Sequence, residues 1–376
     1  MTFTTRNRAC GRWFPRIAAR VALASALVAG SAHAIEVGEA LSLHGFGTAG
    51  LGRSWRNDYL YANTEGSGQS LESYLLISVR PTERLSLSTQ FGFEGEEARL
   101  DWAFGEWAFS DTLKLRAGRA KLAFGLSRET MRVGTLRPFL TLPTSIYGST
   151  ELGAESYNGV GLTGHVLAGS WALEYDAYAG RMDLEELSPL DLLEGEEPEA
   201  EPLAAAGARL TVLPPVEGLR LMVSGYGGRS LESIEPGDDE PVETNLGVGF
   251  SAEYLDEHWQ ARAEYAFSVD EQGEVAHAGY AELAYLFAEH WQPAVRLELS
   301  RTEASGFEGP PSLLRHRDIA VGLNYWFNRH FVLKLAWHNV LGNRLAYPGD
   351  LSPELLQEQG LASRTYLGTF GAQFTF

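Results

Sequence analysis

The sequence predicts an all-β protein, a transmembrane antiparallel β-barrel of about sixteen strands. Three observations favour this class. Apolar residues alternate with polar or small ones along most of residues 35–376, short and long connections alternate, and the chain ends on an aromatic strand. No apolar run reaches the roughly 18 residues that suggest a membrane helix. A net charge of −19 argues against nucleic-acid binding, which needs a basic surface.

The first 34 residues are predicted to be a secretory signal peptide that is not part of the fold. Five arginines precede the apolar run 21–30, and Ala32-His33-Ala34 supplies a small-residue cleavage site before Ile35. A membrane anchor is the alternative, but this apolar run is too short to cross ~30 Å of hydrocarbon. Cleavage would remove the only cysteine, Cys10, and take the net charge from −19 to −24, because the segment contains no acid. Residues 35–376 would then form a single domain.

The strands are predicted from an alternation with a period of two. Residues 85–93, 246–254 and 259–267 each place an apolar row on one face and a polar or small row on the other. The predicted strands lie near residues 40–53, 70–80, 85–94, 98–109, 113–120, 157–167, 171–180, 203–213, 219–229, 243–254, 259–268, 276–287, 291–302, 315–327, 331–340 and 364–376.

The connections support an up-and-down barrel with two different ends. Seven short polar turns alternate with eight connections of the other series, most of them longer and rich in Gly, Pro, Asp and Glu. An even number of strands places both termini beside the short turns, which would face the periplasm. The long segments lie near 54–69, 121–156, 181–202, 230–242, 269–275, 303–314 and 341–362, and a tight connection at 95–97 completes the series.

Aromatic residues indicate that the apolar rows face lipid. Trp171, Trp259, Trp291 and Phe331 lie where strands leave short turns, as expected for membrane-interface aromatics. A soluble β-sandwich also alternates, but its polar rows face outward and its apolar rows fill the core. Here the polar rows are rich in Gly, Ser, Gln, Arg and Glu, which are typical of the wall of a water-filled lumen.

Two parts of the chain resemble a known family. The last strand, with Phe370, Phe374 and Phe376 on one face, resembles the barrel-assembly signal of Gram-negative outer-membrane proteins. Residues 113–164, from Leu-Lys-Leu-Arg-Ala-Gly-Arg through Val-Gly-Thr-Leu-Arg-Pro-Phe to Ser-Tyr-Asn-Gly-Val-Gly-Leu, are similar to phosphate-selective porins O and P and to general porins. The resemblance implies recognition by the barrel-assembly machinery, a homotrimer, and a third long loop that folds into the pore.

The segment that would enter the pore is basic in an acidic chain. Residues 112–138 contain seven basic residues and one acid, Glu129. Cationic side chains at a constriction would attract anions. We therefore predict a basic side of the constriction, with Glu174 and Asp176 on the acidic wall facing it; alternatively, the arginines pair with such carboxylates and only rigidify the loop. The predicted basic residues are Arg116, Lys121, Arg128, Arg132 and Arg137.

Other charged residues have less specific interpretations. Strand residues Arg262 and Arg296 are each followed two residues later by a glutamate, Glu264 and Glu298, which predicts ion pairs on one face. The acidic segments 181–202 and 230–243 could bind cations that bridge outer-membrane lipopolysaccharide, or simply remain solvated. No metal site and no cofactor are predicted.

Function follows from this architecture. The sequence predicts a Gram-negative outer-membrane porin, exported through the periplasm, that lets small anionic or neutral solutes diffuse passively. Two alternatives remain open: a channel selective for phosphate or another small anion, and a structural or adhesive barrel with a plugged lumen. No His-Glu-x-x-His motif, P-loop or residual thiol indicates an enzyme. Composition alone does not exclude an outer-membrane lipase with a serine nucleophile. Assaying the purified protein on a detergent ester would distinguish a lipase from a channel.

Overall fold

The protein is a closed antiparallel β-barrel of sixteen long strands, preceded by one short strand, β1 (Ile35–Val37). The computed structural model describes residues 35–37, 40–62, 64, 68–95, 97–148, 152–185, 200–231, 244–270, 273–303, 305, 307, 309–345 and 361–376. The predicted signal peptide and most of the two acidic segments, at 186–199 and 232–243, lie outside the described residues. In the described part of the chain, no helix has the length and apolar character to cross a membrane.

The predicted strands are confirmed, and most boundaries agree within one or two residues. Each long strand pairs with the next in sequence, and the last pairs with the first, so Phe374 lies opposite Gly47. The sixteen strands are β2 (Leu41–Trp55), β3 (Gly68–Val79), β4 (Leu85–Glu94), β5 (Glu97–Ser110), β6 (Leu113–Lys121), β7 (Ser156–Ala168), β8 (Trp171–Glu185), β9 (Ala200–Leu213), β10 (Leu219–Ser230), β11 (Thr244–Leu255), β12 (Trp259–Val269), β13 (Val275–Tyr285), β14 (Trp291–Glu303), β15 (Arg315–Asn328), β16 (Phe331–Leu341) and β17 (Arg364–Thr375).

Two differences from the predicted strands have local causes. Strand β8 continues to Glu185 because Met182 and Leu184 extend its inward row and are buried. Strand β1 was not predicted; it pairs with the first residues of β2, with Ile35 opposite Leu43. Three residues are too few to show a period of two.

The apolar rows face outward, as predicted. On β14, Leu297 and Leu299 are 51% and 58% exposed. Arg296, which precedes Leu297, and Glu298, which lies between the two leucines, are buried inside the barrel. This pattern is the reverse of a soluble sandwich and fits a wall between hydrocarbon and a polar interior. Closure is required in that environment because lipid cannot hydrogen-bond to an unpaired sheet edge.

The barrel has two different ends. Short turns join the strands at one end, and the chain terminates there, where the backbone N–H of Gly45 donates to the carbonyl of Phe376 at 3.0 Å. Trp259 packs on Tyr285 and Trp291 on Tyr325 at the same end, with ring centroids 4.5 Å and 4.9 Å apart. The longer connections lie at the opposite end.

Candidate pore constriction

The third long loop, between β6 and β7, folds into the barrel, which confirms that part of the predicted fold. It contains a 3-10 turn (Gly134–Leu136) and one helical turn (Thr144–Tyr147), and the side chains of both Phe139 and Ile146 are almost fully buried. We call residues 122–148 and 152–155 the inward loop.

Small inward residues of the barrel make room for the inward loop. Phe139 packs against a cluster of inward alanines on β13 to β16: Ala284, Ala294, Ala320 and Ala336. Phe124, Ile146 and Tyr147 pack in a second cluster that includes Tyr226 and Tyr280 of the wall. Alanine at these positions leaves space that a loop side chain fills, so the loop buries apolar surface inside an otherwise polar lumen.

Glu264 on β12 is the most connected anchor of the inward loop. Its carboxylate accepts hydrogen bonds from the hydroxyls of Tyr147 at 2.5 Å, Tyr280 at 2.7 Å and Ser251 at 2.8 Å, and from the backbone N–H of Leu126 at 2.8 Å. Two of these donors belong to the loop and two to the wall. A buried carboxylate saturated in this way ties the loop to the wall.

Further along the loop, wall side chains hold its backbone. Glu298 accepts from the N–H of Ser145 at 3.0 Å, and Asn324 donates to the carbonyl of Pro138 at 2.7 Å. Lys334 donates to the carbonyl of Gly134 at 2.9 Å and also to that of Arg137. Strands β10 to β17 therefore form a wall that the inward loop covers; we call it the sealed wall.

A belt of alternating charges runs along the lumen face of the barrel, beneath the contact between the inward loop and the sealed wall. It passes from strand to strand through ion pairs of 2.6–3.5 Å, in the order Glu174, Arg220, Glu253, Arg262, Glu282, Arg296 and Glu298. The predicted pair Arg296–Glu298 is confirmed at 3.3 Å. The predicted pair Arg262–Glu264 is wrong, because directly opposed residues on adjacent strands lie closer together than residues two apart on one strand.

Strands β3 to β8, on the other side of the barrel, keep several charged groups accessible; we call them the open wall. Glu94 and Lys114 are 38% and 42% exposed there, against 0% for Arg296 and 2% for Glu282 of the sealed wall, whereas Asp101 and Lys121, next to the inward loop, are buried. A passage beside the loop would therefore be bounded by the loop on one side and by the open wall on the other.

Two of the predicted basic residues meet one carboxylate at the edge of this passage. Lys121 and Arg132 contact Glu155 at 3.1 Å and 2.9 Å, and Lys121 also contacts Asp101 at 2.7 Å. Burial alone would raise the pKa of Glu155, but Arg132 and Lys121 together lower it to about 2. The carboxylate of Glu155 therefore remains ionised at neutral pH.

Arg128 and Arg137 are bound differently, by backbone carbonyls. Arg137 donates to Leu140 at 3.0 Å and to Met131, and Arg128 donates to Leu152 at 3.4 Å. Burial lowers the pKa of Arg137 to about 10, so it is still protonated at neutral pH. Among the described residues, no carboxylate lies within ion-pair distance of either arginine.

Arg116 and the two predicted acidic residues lie on the open wall. Arg116 pairs with Glu106 at 3.1 Å and borders a small cavity together with Lys121 and Asp176. Asp176 pairs with Arg209 at 2.8 Å, and Arg209 also reaches Glu129 of the inward loop at 2.6 Å. Glu174 pairs with Arg220 at 3.5 Å. The sequence left open that the basic residues pair with carboxylates such as Glu174 and Asp176. Arg116, Lys121 and Arg132 do pair with carboxylates, but not with these two.

Asp101 and Glu155 were not among the predicted site residues, and Glu264 was predicted in a different role. Asp101 points inward because of a bulge where Gln90 lies opposite Trp102 and Phe91 opposite Leu100. A strict alternation cannot place such a residue. Glu264 was assigned to an ion pair, although the nearby tyrosines Tyr147 and Tyr280 could be identified as partners only from the three-dimensional structure.

The predicted aromatic residues lie on the outer face. Trp171, Trp259 and Trp291 are exposed there, and Phe331 packs on Phe327 with ring centroids 5.2 Å apart. Phe370 and Phe376 are exposed, and Phe374 faces outward beside them. No group of three or more potential metal ligands comes together within the described ranges.

Comparison with known proteins places this geometry among outer-membrane porins. No family model and no curated protein sequence matches the chain. Among solved structures, OmpF of Salmonella typhi in complex with daunomycin is similar at 12% identity and a TM-score of 0.60, over 92% of this chain and 100% of that one. OmpT of Vibrio cholerae shows 12% identity and a TM-score of 0.57 over the same shares.

An anion-selective porin from Comamonas acidovorans is also similar. Its identity is 8% and its TM-score 0.57, over 89% of this chain and 99% of that one. At these identities the likeness is one of fold. The chain has the sixteen-stranded barrel of the outer-membrane porins.

Proposed function

We propose that the protein is an outer-membrane channel through which small hydrophilic solutes diffuse passively, with a modest preference for anions. The observation that carries the proposal is the inward loop, which covers one wall and leaves the charged open wall accessible. Solutes would move down their own gradient, and no reaction and no cofactor would be needed. The phosphate-selective porin O and P type remains the proposed relative.

The anion preference rests on the charge of the loop itself. Between residues 121 and 156, four basic residues stand against three acids. Arg128 and Arg137 donate to backbone carbonyls and pair with no carboxylate of the described residues, so their positive charge would act on the passage. Low-dielectric walls strengthen that field and raise the local anion concentration.

Reversal potentials across planar bilayers in a potassium chloride gradient test the preference. The unmodified protein should favour chloride, and the double variant Arg128→Glu with Arg132→Glu should favour potassium. Arg128→Gln with Arg132→Gln should fall between them, which separates charge from packing. Arg84→Glu, in an exposed short turn, is the matched control and should change nothing. Potassium preference in the unmodified protein would contradict the proposal.

Two other functions can be separated with the same apparatus. A conductance that saturates with phosphate, together with competition by phosphate against chloride, would indicate a selective anion channel. The dense anchoring of the inward loop by Glu264 and Glu298 favours a second candidate, a plugged structural barrel. Folded protein that inserts into bilayers without conductance steps would support that candidate.

We also propose the cellular context of the channel. Residues 1–34 would direct export into the periplasm and be removed, so the N-terminus of the purified protein should be Ile35. The C-terminal strand, with Phe370, Phe374 and Phe376, would be recognised by the barrel-assembly machinery. The mature barrel would form a homotrimer in the outer membrane, in contact with lipopolysaccharide.

A further inference from the structure

Arginines collect on the outer face of the barrel at the end opposite the short turns. On β15, β17 and β2, Arg317, Arg364 and Arg53 all point away from the lumen, as the alternation of buried and exposed residues shows. Leu341 lies opposite both Arg317 and Arg364, so these two arginines are about two strand spacings, roughly 10 Å, apart. We call Arg53, Arg56, Arg315, Arg317 and Arg364 the outer arginine row.

Aromatic rings mark the depth of this row in the membrane. Arg53 lies over the ring of Trp55 at 5.6 Å and Arg56 over that of Tyr366 at 5.7 Å. Trp55 in turn packs on Trp337, with centroids 5.2 Å apart. Outward tryptophan and tyrosine rings prefer the boundary between hydrocarbon and headgroups, so the arginines reach the headgroup region.

The outer arginine row has no carboxylate partners among the described residues. Arg301, which lies opposite Arg315, pairs with Glu303, but no acid of the described segments is within ion-pair distance of the row itself. A cluster of arginines without such partners is unexpected in a chain with a net charge of −19. Arginine facing lipid is unfavourable unless it meets an anionic group, and its planar guanidinium is well suited to phosphate.

An apolar groove lies directly beside the row, on the same strands. Leu51, Val321, Leu335 and Phe370 line it, and Arg53 and Trp337 are at its edge. The groove is deepened by Gly368, where an added Cβ would be only in ordinary contact, 3.6 Å from each of Trp337 and Trp55. The groove is therefore space that a thin, flexible, apolar chain can enter.

We propose that this face binds the phosphorylated lipid moiety of lipopolysaccharide, with a phosphate on the outer arginine row and one acyl chain in the groove. The charge of the row and the apolar character of the groove match the two halves of that molecule, side by side. The proposal rests on the outer-membrane location but not on conduction.

Binding of purified lipopolysaccharide to barrel refolded in detergent tests this site. The triple variant Arg53→Gln, Arg317→Gln and Arg364→Gln should bind at least about tenfold more weakly, because charge-assisted contacts to phosphate are lost. Lipopolysaccharide stripped of its phosphates should bind the unmodified protein as weakly as the intact lipid binds the variant. Gly368→Leu, which fills the groove without touching the charges, should also weaken binding.

A matched triple variant controls for the loss of three positive charges. Arg80→Gln, Arg84→Gln and Arg329→Gln removes exposed arginines at the short-turn end and should bind like the unmodified protein. Equal binding by both triple variants would overturn the proposal, as would equal affinity for phosphatidylglycerol. If Gly368→Leu changed only the oligomeric state in sedimentation, the groove would be an interface between copies and the lipid assignment would be wrong. Conductance of the same samples separates this outcome from a failure of the proposed channel.

Discussion

The two walls of the lumen use charge in different ways. On the sealed wall, Arg296 is completely buried and bonds to Glu282, to Glu298 and to the carbonyl of Thr141 in the inward loop. On the open wall, Arg99 and Glu94 form the same kind of pair with 44% and 38% of their side chains exposed. The same chemical pair is thus structural on one wall and accessible to solutes on the other.

Charged residues that line a lumen therefore do not all face the route of a solute. The sequence distributes arginine and glutamate around the whole belt, but the inward loop decides which of them meet water. Buried ion pairs are costly to form and very costly to break, because removing one partner leaves an uncompensated charge. Exposed pairs contribute little to stability and can instead shape the field that a solute crosses.

The largest expected effect is on stability and comes from breaking a pair on the sealed wall. Arg296→Met should lower the free energy of unfolding by about 3–5 kcal/mol, because Glu282 and Glu298 lose their shared buried cation. Unfolding in urea, followed by tryptophan fluorescence in detergent micelles, measures it. The matched change on the open wall, Arg99→Met, should cost less than about 1 kcal/mol. Equal losses would show that the two walls do not differ.

A smaller effect is expected from releasing the loop at Glu264. Glu264→Ala leaves the hydroxyls of Tyr147 and Tyr280 and the N–H of Leu126 without their acceptor. Because donors on a released loop can turn to water, we expect a total loss of about 1–3 kcal/mol in the free energy of unfolding. The loop should detach from the sealed wall, so single-channel currents should become larger and noisier. Glu264→Gln keeps an acceptor oxygen and should behave closer to the unmodified protein. Unchanged currents in the alanine variant would contradict the anchoring role.

The smallest expected effect is the pH dependence of stability that comes from the ion pairs of Glu155. Because the pKa of Glu155 is lowered from 4.5 to about 2, its pairing with Arg132 and Lys121 contributes stability above pH 4.5 that is lost as the pH falls towards 2. Thermal unfolding should therefore be insensitive to this pair between pH 7 and 5. Glu155→Gln should be less stable than the unmodified protein at pH 7, and the difference should shrink as the pH approaches 2. A difference independent of pH would contradict this assignment.

The barrel could be predicted from sequence because its physical rule is local. An outward residue must be apolar and its neighbours must be polar or small. The alternation of Val295, Leu297 and Leu299 with Arg296 and Glu298 therefore predicts strand β14. The short turns mark where the strands end. The direction of each strand, the number of strands and the face that points outward all follow from these two features.

The constriction could be predicted only in part. The basic character of residues 112–138 and their position in the third long connection are visible in the sequence. Their partners are not, because Arg132 meets Glu155 through the fold of the loop and Lys121 meets Asp101 through a bulge. Cross-strand register likewise decides that Arg262 pairs with Glu253 and Glu282 rather than with Glu264.

Single-channel recording of residues 35–376 in planar bilayers shows whether the lumen conducts. Apolar side chains facing lipid around a water-filled, loop-narrowed lumen should give discrete conductance steps that are linear with voltage and present without any added ligand. Folded barrels that insert into the bilayer but produce no steps would contradict the account, because the inward loop would then close the lumen rather than narrow it.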